Sequence, residues 1–134
     1  MHRRLGGYGD GALSLPSGHV DGRETVLQAA AREVAEEVGV AVDASLLRVL
    51  TVQHRPSLGA SGERREYFDF YVDAPPGSWS GEPRNAEPRK ASEVVWHDVS
   101  RLPPDTLGHV RAALASLRSG LNPHCSYGWS DGEN

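Results

Sequence analysis

Cysteine, methionine and aromatic residues are scarce in this chain of 134 residues, which has one Cys, one Met, three Trp, four Tyr and two Phe. The lone Cys125 excludes an intramolecular disulfide. With no activating motif around that cysteine and no G-x-S-x-G elbow around Ser14 or Ser17, covalent catalysis has no support. No His/Cys spacing such as H-x-x-x-H is present, which sets zinc aside. No apolar run approaches the ~18 residues that span a membrane and no signal-peptide pattern is visible, so the expectation is a cytoplasmic protein with no membrane partner. Basic residues are outnumbered, 14 Lys and Arg against 18 Asp and Glu, for a formal charge of −4. A domain that grips nucleic acid by its phosphates needs the opposite balance, so no nucleic-acid partner is expected. Repeats and low-complexity linkers are absent too, and the expectation is a single domain over 1–134, with a core of about 5–120 and a tail over 121–134.

What is present is glycine, proline and a few strongly patterned segments. Fifteen Gly and nine Pro make the chain rich in loops without making it low-complexity. Leu13 and its neighbours suit a short strand closed by Pro16-Ser17-Gly18. Thr25 with Gln28 has the form of a capping box, and Gly39 stands where a helix ends in a left-handed residue, so the spacing predicts a helix over 25–38. Leu27, Ala31, Val34 and Val38 form its apolar stripe, with Arg32, Glu33, Glu36 and Glu37 beside it. Strands are expected over 46–54, 66–73 and 92–99, with a flexible connection around Pro56, Gly59 and Gly62 and with Trp96 packed inside. A second amphipathic helix is expected over 106–119, closed by Gly120. Tyr127 and Trp129 argue that part of the tail docks. The pattern implies a mixed sheet with helices.

Glu33, Glu36 and Glu37 stand at i, i+3 and i+4, a spacing that gathers three carboxylates on one side of a helix. Alone, such a cluster is tolerable as a solvated acidic face, since each like-charge pair costs only a few tenths of a kcal/mol. The sharper reading is that a hard divalent cation neutralises it and is used to bind a phosphate chain.

The surrounding run decides between them. From Gly18 through Glu24, Arg32, Glu33, Glu36, Glu37 and Gly39 to Val40, the chain matches the Nudix signature G-x5-E-x7-R-E-U-x-E-E-x-G-U, with U aliphatic, at every defined position. Seven fixed and two aliphatic positions coincide by chance in a chain of this size less than about once in a million. The chain therefore resembles the Nudix hydrolases from Leu5 to about Gly120, and the stretches Gly6 to Val20 and Trp79 to Lys90 are similar to segments of the bacterial MutT-like subgroup. The resemblance implies an α/β fold, the Nudix α/β/α sandwich with a mixed sheet. It also implies a strand ahead of Gly6, of which Met1 to Leu5 would be a truncated remnant, leaving an exposed sheet edge there. Hence the expectation of a monomer or a homodimer completed at that edge.

Carried over residue by residue, the resemblance implies metal ligands at Glu33, Glu36, Glu37 and the carbonyl of Ser17, with Mg²⁺ as the cofactor and Mn²⁺ as a substitute. Gly18, Glu24, Arg32 and Gly39 take structural roles, Glu24 and Arg32 as an ion pair that sets the loop on the helix. The carboxylate that accepts the proton of the attacking water is Glu36 or Glu87, with Glu33 as a further alternative. Arg23, Arg84, Arg89 and Lys90 are candidate phosphate contacts. Tyr8, Phe68, Phe70, Trp129 and Asn85 are candidates for the base or sugar end, led by Tyr8, Phe70 and Asn85.

The function this implies is a Mg²⁺-dependent nucleoside triphosphate pyrophosphohydrolase releasing a nucleoside monophosphate and pyrophosphate, with oxidised purine nucleotides among its candidate substrates. Two alternatives stand beside it. One is an ADP-ribose or nucleotide-sugar pyrophosphatase, to which Pro56, sixteen residues beyond Val40, lends slight support. The other is a nucleotide-binding module without turnover, against which the intact glutamates argue.

Overall fold

The structure is a computed structural model that describes residues 1–58, 61–120 and 123–129. Among the described residues, three small sheets and two α-helices make up the fold. Strand β1 (His2–Arg4) lies between β2 (Leu13–Ser14) and β7 (Ala91–Val94), antiparallel to both. A second sheet pairs β3 (Ala41–Val42) with β6 (Trp79–Ser80). The third is the largest: β4 (Arg48–Leu58) and β5 (Arg64–Asp73) form a long antiparallel hairpin, and β8 (His124–Ser126) adds to β4 in parallel. Helix α1 (Val26–Val38) packs against β3, β5 and the 3-10 turn at Ala44–Leu46, and α2 (Gly108–Arg118) packs on β4.

Helix α1 starts and stops where its sequence says it should. The Thr25 hydroxyl accepts from the Gln28 amide at 3.2 Å while the Gln28 side chain accepts from the Thr25 amide at 2.8 Å, which satisfies two of the donors a helix start leaves over. Gly39 at φ +70° takes the left-handed position that ends it. Of the predicted stripe, Val38 is buried, Leu27, Ala31 and Val34 are half-buried, and Ala29 is buried beside them.

The hairpin corrects the expectation of a flexible link. Pairing runs on to Leu58 opposite Arg64, because Pro56, Arg64 and Glu66 stand at positions where a half-solvated ladder accepts polar residues and proline; Gly59 lies outside the described residues. One face of the hairpin is buried. Thr51, Gln53 and Tyr71 lie there under α2, and Gln53, 0 % exposed, donates to the His109 carbonyl at 3.0 Å. Burial and the nearby Asp69 push the Tyr71 phenol upward, so it stays a neutral donor, facing the Gln53 side-chain oxygen and the His109 carbonyl at 3.4 Å each.

Two further expectations change. The strand expected over 92–99 stops at Val94, its ladder ending with the Val95 amide on the Met1 carbonyl at 2.8 Å. Beyond that rung no strand is alongside among the described residues, and Trp96 is 74 % exposed, its ring 6.1 Å from that of Trp79. It is not a packed residue. The sheet edge expected at β1 is not there either, since β1 is flanked on both sides. The second helix ends at Arg118 with Ser119 as its cap, and Gly120 follows at φ +135°. The tail docks as expected: the Tyr127 amide and the Trp129 indole both donate to the His54 carbonyl.

Replacing Thr25 by Ala removes one half of the capping box. A loss of about 1 kcal/mol in unfolding free energy is expected from denaturant titration, with no change in the denaturant slope.

Candidate active site

The acidic residues of α1 meet the loop that precedes it. The Ser17 amide donates to Glu37 Oε2 at 2.9 Å, and the buried His2 ring on β1 brings Nδ1 to 3.3 Å of the same oxygen, an ion-pair distance without hydrogen-bond geometry. Gly18 lies flat against the next carboxylate, so close that a Cβ there would stand 1.8 Å from Glu33 Oε1. Glycine is required by this approach. Backbone and carboxylates are thus brought together on one side of the helix.

Arg32 holds the arrangement. Its Nη2 donates to Glu24 Oε1 at 2.7 Å and to the His19 carbonyl at 3.0 Å, its Nε to Glu24 Oε2 at 3.1 Å, and its Nη1 to Glu33 Oε1 at 2.7 Å, with Glu36 Oε2 at 3.5 Å. Hydrogen bonds to Glu24 and then Glu33 raise the guanidinium above its ordinary value, so it is always charged. Glu24 also accepts from the Asp21 amide at 2.9 Å; its bonds from Arg32 and then Asp21 hold its carboxyl below the ordinary value of 4.5. The loop is clamped onto the helix by that bidentate pair. Glu36 is the least occupied of the glutamates, with its side chain 51 % exposed.

The loop after β6 closes the far end. The Arg84 and Ala86 amides donate to the Val38 and Glu37 carbonyls at 2.9 and 3.1 Å, satisfying acceptors that the end of a helix leaves over. Arg84 lies over Gly39, its Nε 3.1 Å from where a Cβ would be. Downstream, Glu87 pairs with Lys90 at 2.7 Å. That hydrogen bond, and then the charges of Glu87, Glu37 and Glu33, raise the Lys90 ammonium, so Glu87 and Lys90 lie within electrostatic reach of the α1 carboxylates.

The residues expected at the base or sugar end are not gathered in one place. Tyr8 is 64 % exposed on a loop beside α2, its ring 6.3 Å from that of His109. Arg23 is exposed in the loop before α1 and makes no ion pair among the described residues. Asn85 serves the fold, its amide donating to the Ala91 carbonyl at 2.7 Å while its buried oxygen has no hydrogen-bond partner among the described residues. Phe70 stands on the outer face of β5 with Phe68, opposite the face that carries Tyr67, Asp69 and Tyr71. Phe68 stacks on His54, with ring centroids 4.5 Å apart, and Trp129 tilts against the same imidazole at 4.7 Å.

Other residues lie near the loop instead. On the inner face of the hairpin Arg55 is paired with Asp69 and lies over the Tyr67 ring at 4.8 Å, and Tyr67 faces the His19 ring at 6.1 Å. Alternation in the strands was the only signal for these, and it names a face without saying which way it points. Nothing in the sequence marked His2.

The donor set suits a hard divalent cation. Carboxylate oxygens and a backbone carbonyl are the ligands such ions prefer, and the closeness of Gly18 to Glu33 leaves the loop backbone able to share an ion with the helix. As they stand, Glu33 is turned to Arg32 and Glu37 to Ser17 and His2. Among the described residues no three His, Cys, Asp or Glu side chains converge on one metal position.

The NUDIX domain family model matches residues 1–116, and the chain belongs to the Nudix family. Among solved structures it is similar to a MutT NUDIX hydrolase from Burkholderia pseudomallei, with 30% identity, a TM-score of 0.67, and coverage of 85% of this chain and 83% of that one. It is a hydrolase of the kind that acts on diphosphate linkages, built on the Nudix sandwich.

Two variants test the architecture. Gly18→Ala meets only the end of a flexible side chain, so the fold is expected to survive with an unchanged melting temperature while Glu33 is displaced and turnover falls at least about tenfold. Wild-type turnover would contradict the close approach. Glu24→Gln removes a carboxylate whose folded value is depressed, so its stabilisation is present above pH 4.5 and disappears as the pH falls through the folded value. Melting curves are expected to show the variant a few degrees less stable than wild type at pH 7 and the gap closing in acid.

Proposed function

We propose that this chain is a Mg²⁺-dependent nucleoside triphosphate pyrophosphohydrolase, cleaving its substrate to a nucleoside monophosphate and pyrophosphate. The observation that carries the reading is the apposition of the Ser17-Gly18 backbone to Glu33 and Glu37. The MutT relationship of the solved neighbour supports the same class of substrate.

Glu33, Glu36, Glu37 and the Ser17 carbonyl would hold the cation, which when bound supplies charge neutralisation of the polyphosphate and a more acidic water. The protein's own groups do the rest. Arg32 keeps Glu33 oriented through its 2.7 Å bond and ties it to the loop through Glu24. Arg23, exposed in that loop, and Arg84, lying over Gly39, supply positive charge for phosphate oxygens. The proton of the attacking water goes to a carboxylate that no cationic side chain already engages closely. Glu36, at 3.5 Å from Arg32, meets this condition better than Glu87, which Lys90 clamps at 2.7 Å. The nucleoside end is expected along the inner face of the hairpin, between Tyr67 and the Tyr8–His109 pair, where aromatic faces and the Arg55–Asp69 pair lie together.

A panel of nucleoside triphosphates, oxidised nucleotides, ADP-ribose and nucleotide sugars, assayed for phosphate products with and without Mg²⁺, tests the substrate class; preference for ADP-ribose or no turnover of any triphosphate would overturn it. Glu37→Gln and Glu36→Gln are each expected to lower kcat at least about a hundredfold with the fold intact, and Glu87→Gln by much less. The reverse order for Glu36 and Glu87 would move the base to the loop after β6.

A further inference from the structure

Strand β5 is the outer strand of its sheet, and among the described residues it pairs with β4 alone. The direction of its backbone groups follows from β4. The Val52 amide donates to the Pro123 carbonyl and the His54 carbonyl accepts from the Tyr127 amide, each at 3.1 Å, so these residues turn their backbone toward β8 and Gln53 and Arg55 turn theirs toward β5. Their register partners Asp69 and Tyr67 answer them. Glu66, Phe68 and Phe70 therefore aim N–H and C=O at the open edge, and their side chains stand exposed on the outer face, Phe68 at 58 %. A long strand with free backbone groups and exposed rings is a template for another strand.

We infer that this edge docks a second copy of the chain, two β5 strands pairing antiparallel about a twofold axis into one continuous sheet. The charge pattern selects both the occupant and the register. A twofold axis perpendicular to the sheet keeps each face continuous, so even-numbered residues oppose even and odd oppose odd. Setting Phe68 opposite Phe70 of the second copy sets Tyr67 opposite Tyr71 and Arg65 opposite Asp73, each contact occurring twice. Asp69 then meets its own copy on the axis, where each carboxylate is already held by an Arg55. Arg65 and Asp73 have partners within the chain, Glu63 and Arg48, but these are exposed pairs that hold little energy and leave room for sharing. Sliding the strands so that Phe68 opposes itself leaves no opposite charges facing one another within β5. Sliding further, until Tyr67 opposes itself, shortens the overlap to 64–70 and spends Arg65 on an Asp69 that is already neutralised. One register joins the rings, the backbone groups and the charges.

Sedimentation velocity over a hundredfold range of chain concentration tests the inference, together with hydrogen exchange on the same samples. The mass is expected to pass from one chain to two, and the Glu66, Phe68 and Phe70 amides to become protected as it does, while those of Tyr67 and Asp69, already bonded to β4, do not change. Arg65→Asp, an exposed substitution, is expected to weaken association at least tenfold, and adding Asp73→Arg to restore it. A single-chain mass at every concentration, a dimer whose Phe68 and Phe70 amides stay unprotected, or a dimer indifferent to Arg65→Asp would each overturn the docking surface.

Discussion

The site depends on one guanidinium. Four carboxylates, those of Glu24, Glu33, Glu36 and Glu37, come together around the first turns of the loop and one side of α1, and Arg32 touches three of them as well as the His19 carbonyl. Without it the loop would be left with the Ser17 amide bond to Glu37 as its charge-assisted attachment to the helix, and the glutamates would repel one another with little but solvent to screen them. With it, the loop is fixed at Glu24, the direction of Glu33 is set, and Gly18 can lie against the carboxylate end. A lysine could not make the same set of contacts, because they use all three nitrogens of a planar fork at once, Nη2 twice.

Even so, Arg32 brings one positive charge to four negative ones. His2, close to Glu37, adds a second only when protonated. The arrangement is left with an excess of negative charge concentrated beside a backbone that cannot move away, and this is the physical sense in which the fold prepares a place for a cation. The attachment of the loop after β6 works toward the same end. By binding the Glu37 and Val38 carbonyls through the Ala86 and Arg84 amides, it keeps the end of α1 ordered and holds Glu87 and Lys90 within reach of the cluster.

Much of this was legible in the sequence because it is local. The capping box, the glycine that ends α1 and the face shared by three glutamates are patterns of one helix, and the Glu24–Arg32 pair is implied by the resemblance of that helix and its entry loop to the Nudix signature. What was not legible depends on partners far along the chain. Trp96 was expected inside because a strand was expected to continue, yet a strand continues only while a neighbour offers backbone groups, and β1 offers three residues. His2 owes its place beside Glu37 to a contact across thirty-five positions that no spacing rule reports. Phe70 is an aromatic residue suited to stacking, but alternation along β5 leaves two equivalent assignments of faces until α2 is seen to cover Thr51, Gln53 and Tyr71.

The hairpin shows why that assignment matters beyond a single residue. Its inner face carries groups that must be satisfied internally: Gln53 on the His109 carbonyl, Arg55 on Asp69, and the Tyr71 phenol kept neutral by burial. Its outer face carries rings that lie against one another, Phe68 stacked on His54, with Trp129 of the tail tilted against the same imidazole. A one-residue slip of β5 against β4 would turn β5 over, taking Asp69 away from Arg55 and the Tyr71 phenol away from Gln53 and putting phenylalanines under α2. The polar inner face therefore fixes the register of β5 against β4. In doing so it also fixes which residues of β5 direct their backbone toward the free edge, so the same hydrogen bonds that order the inner face determine what that edge presents.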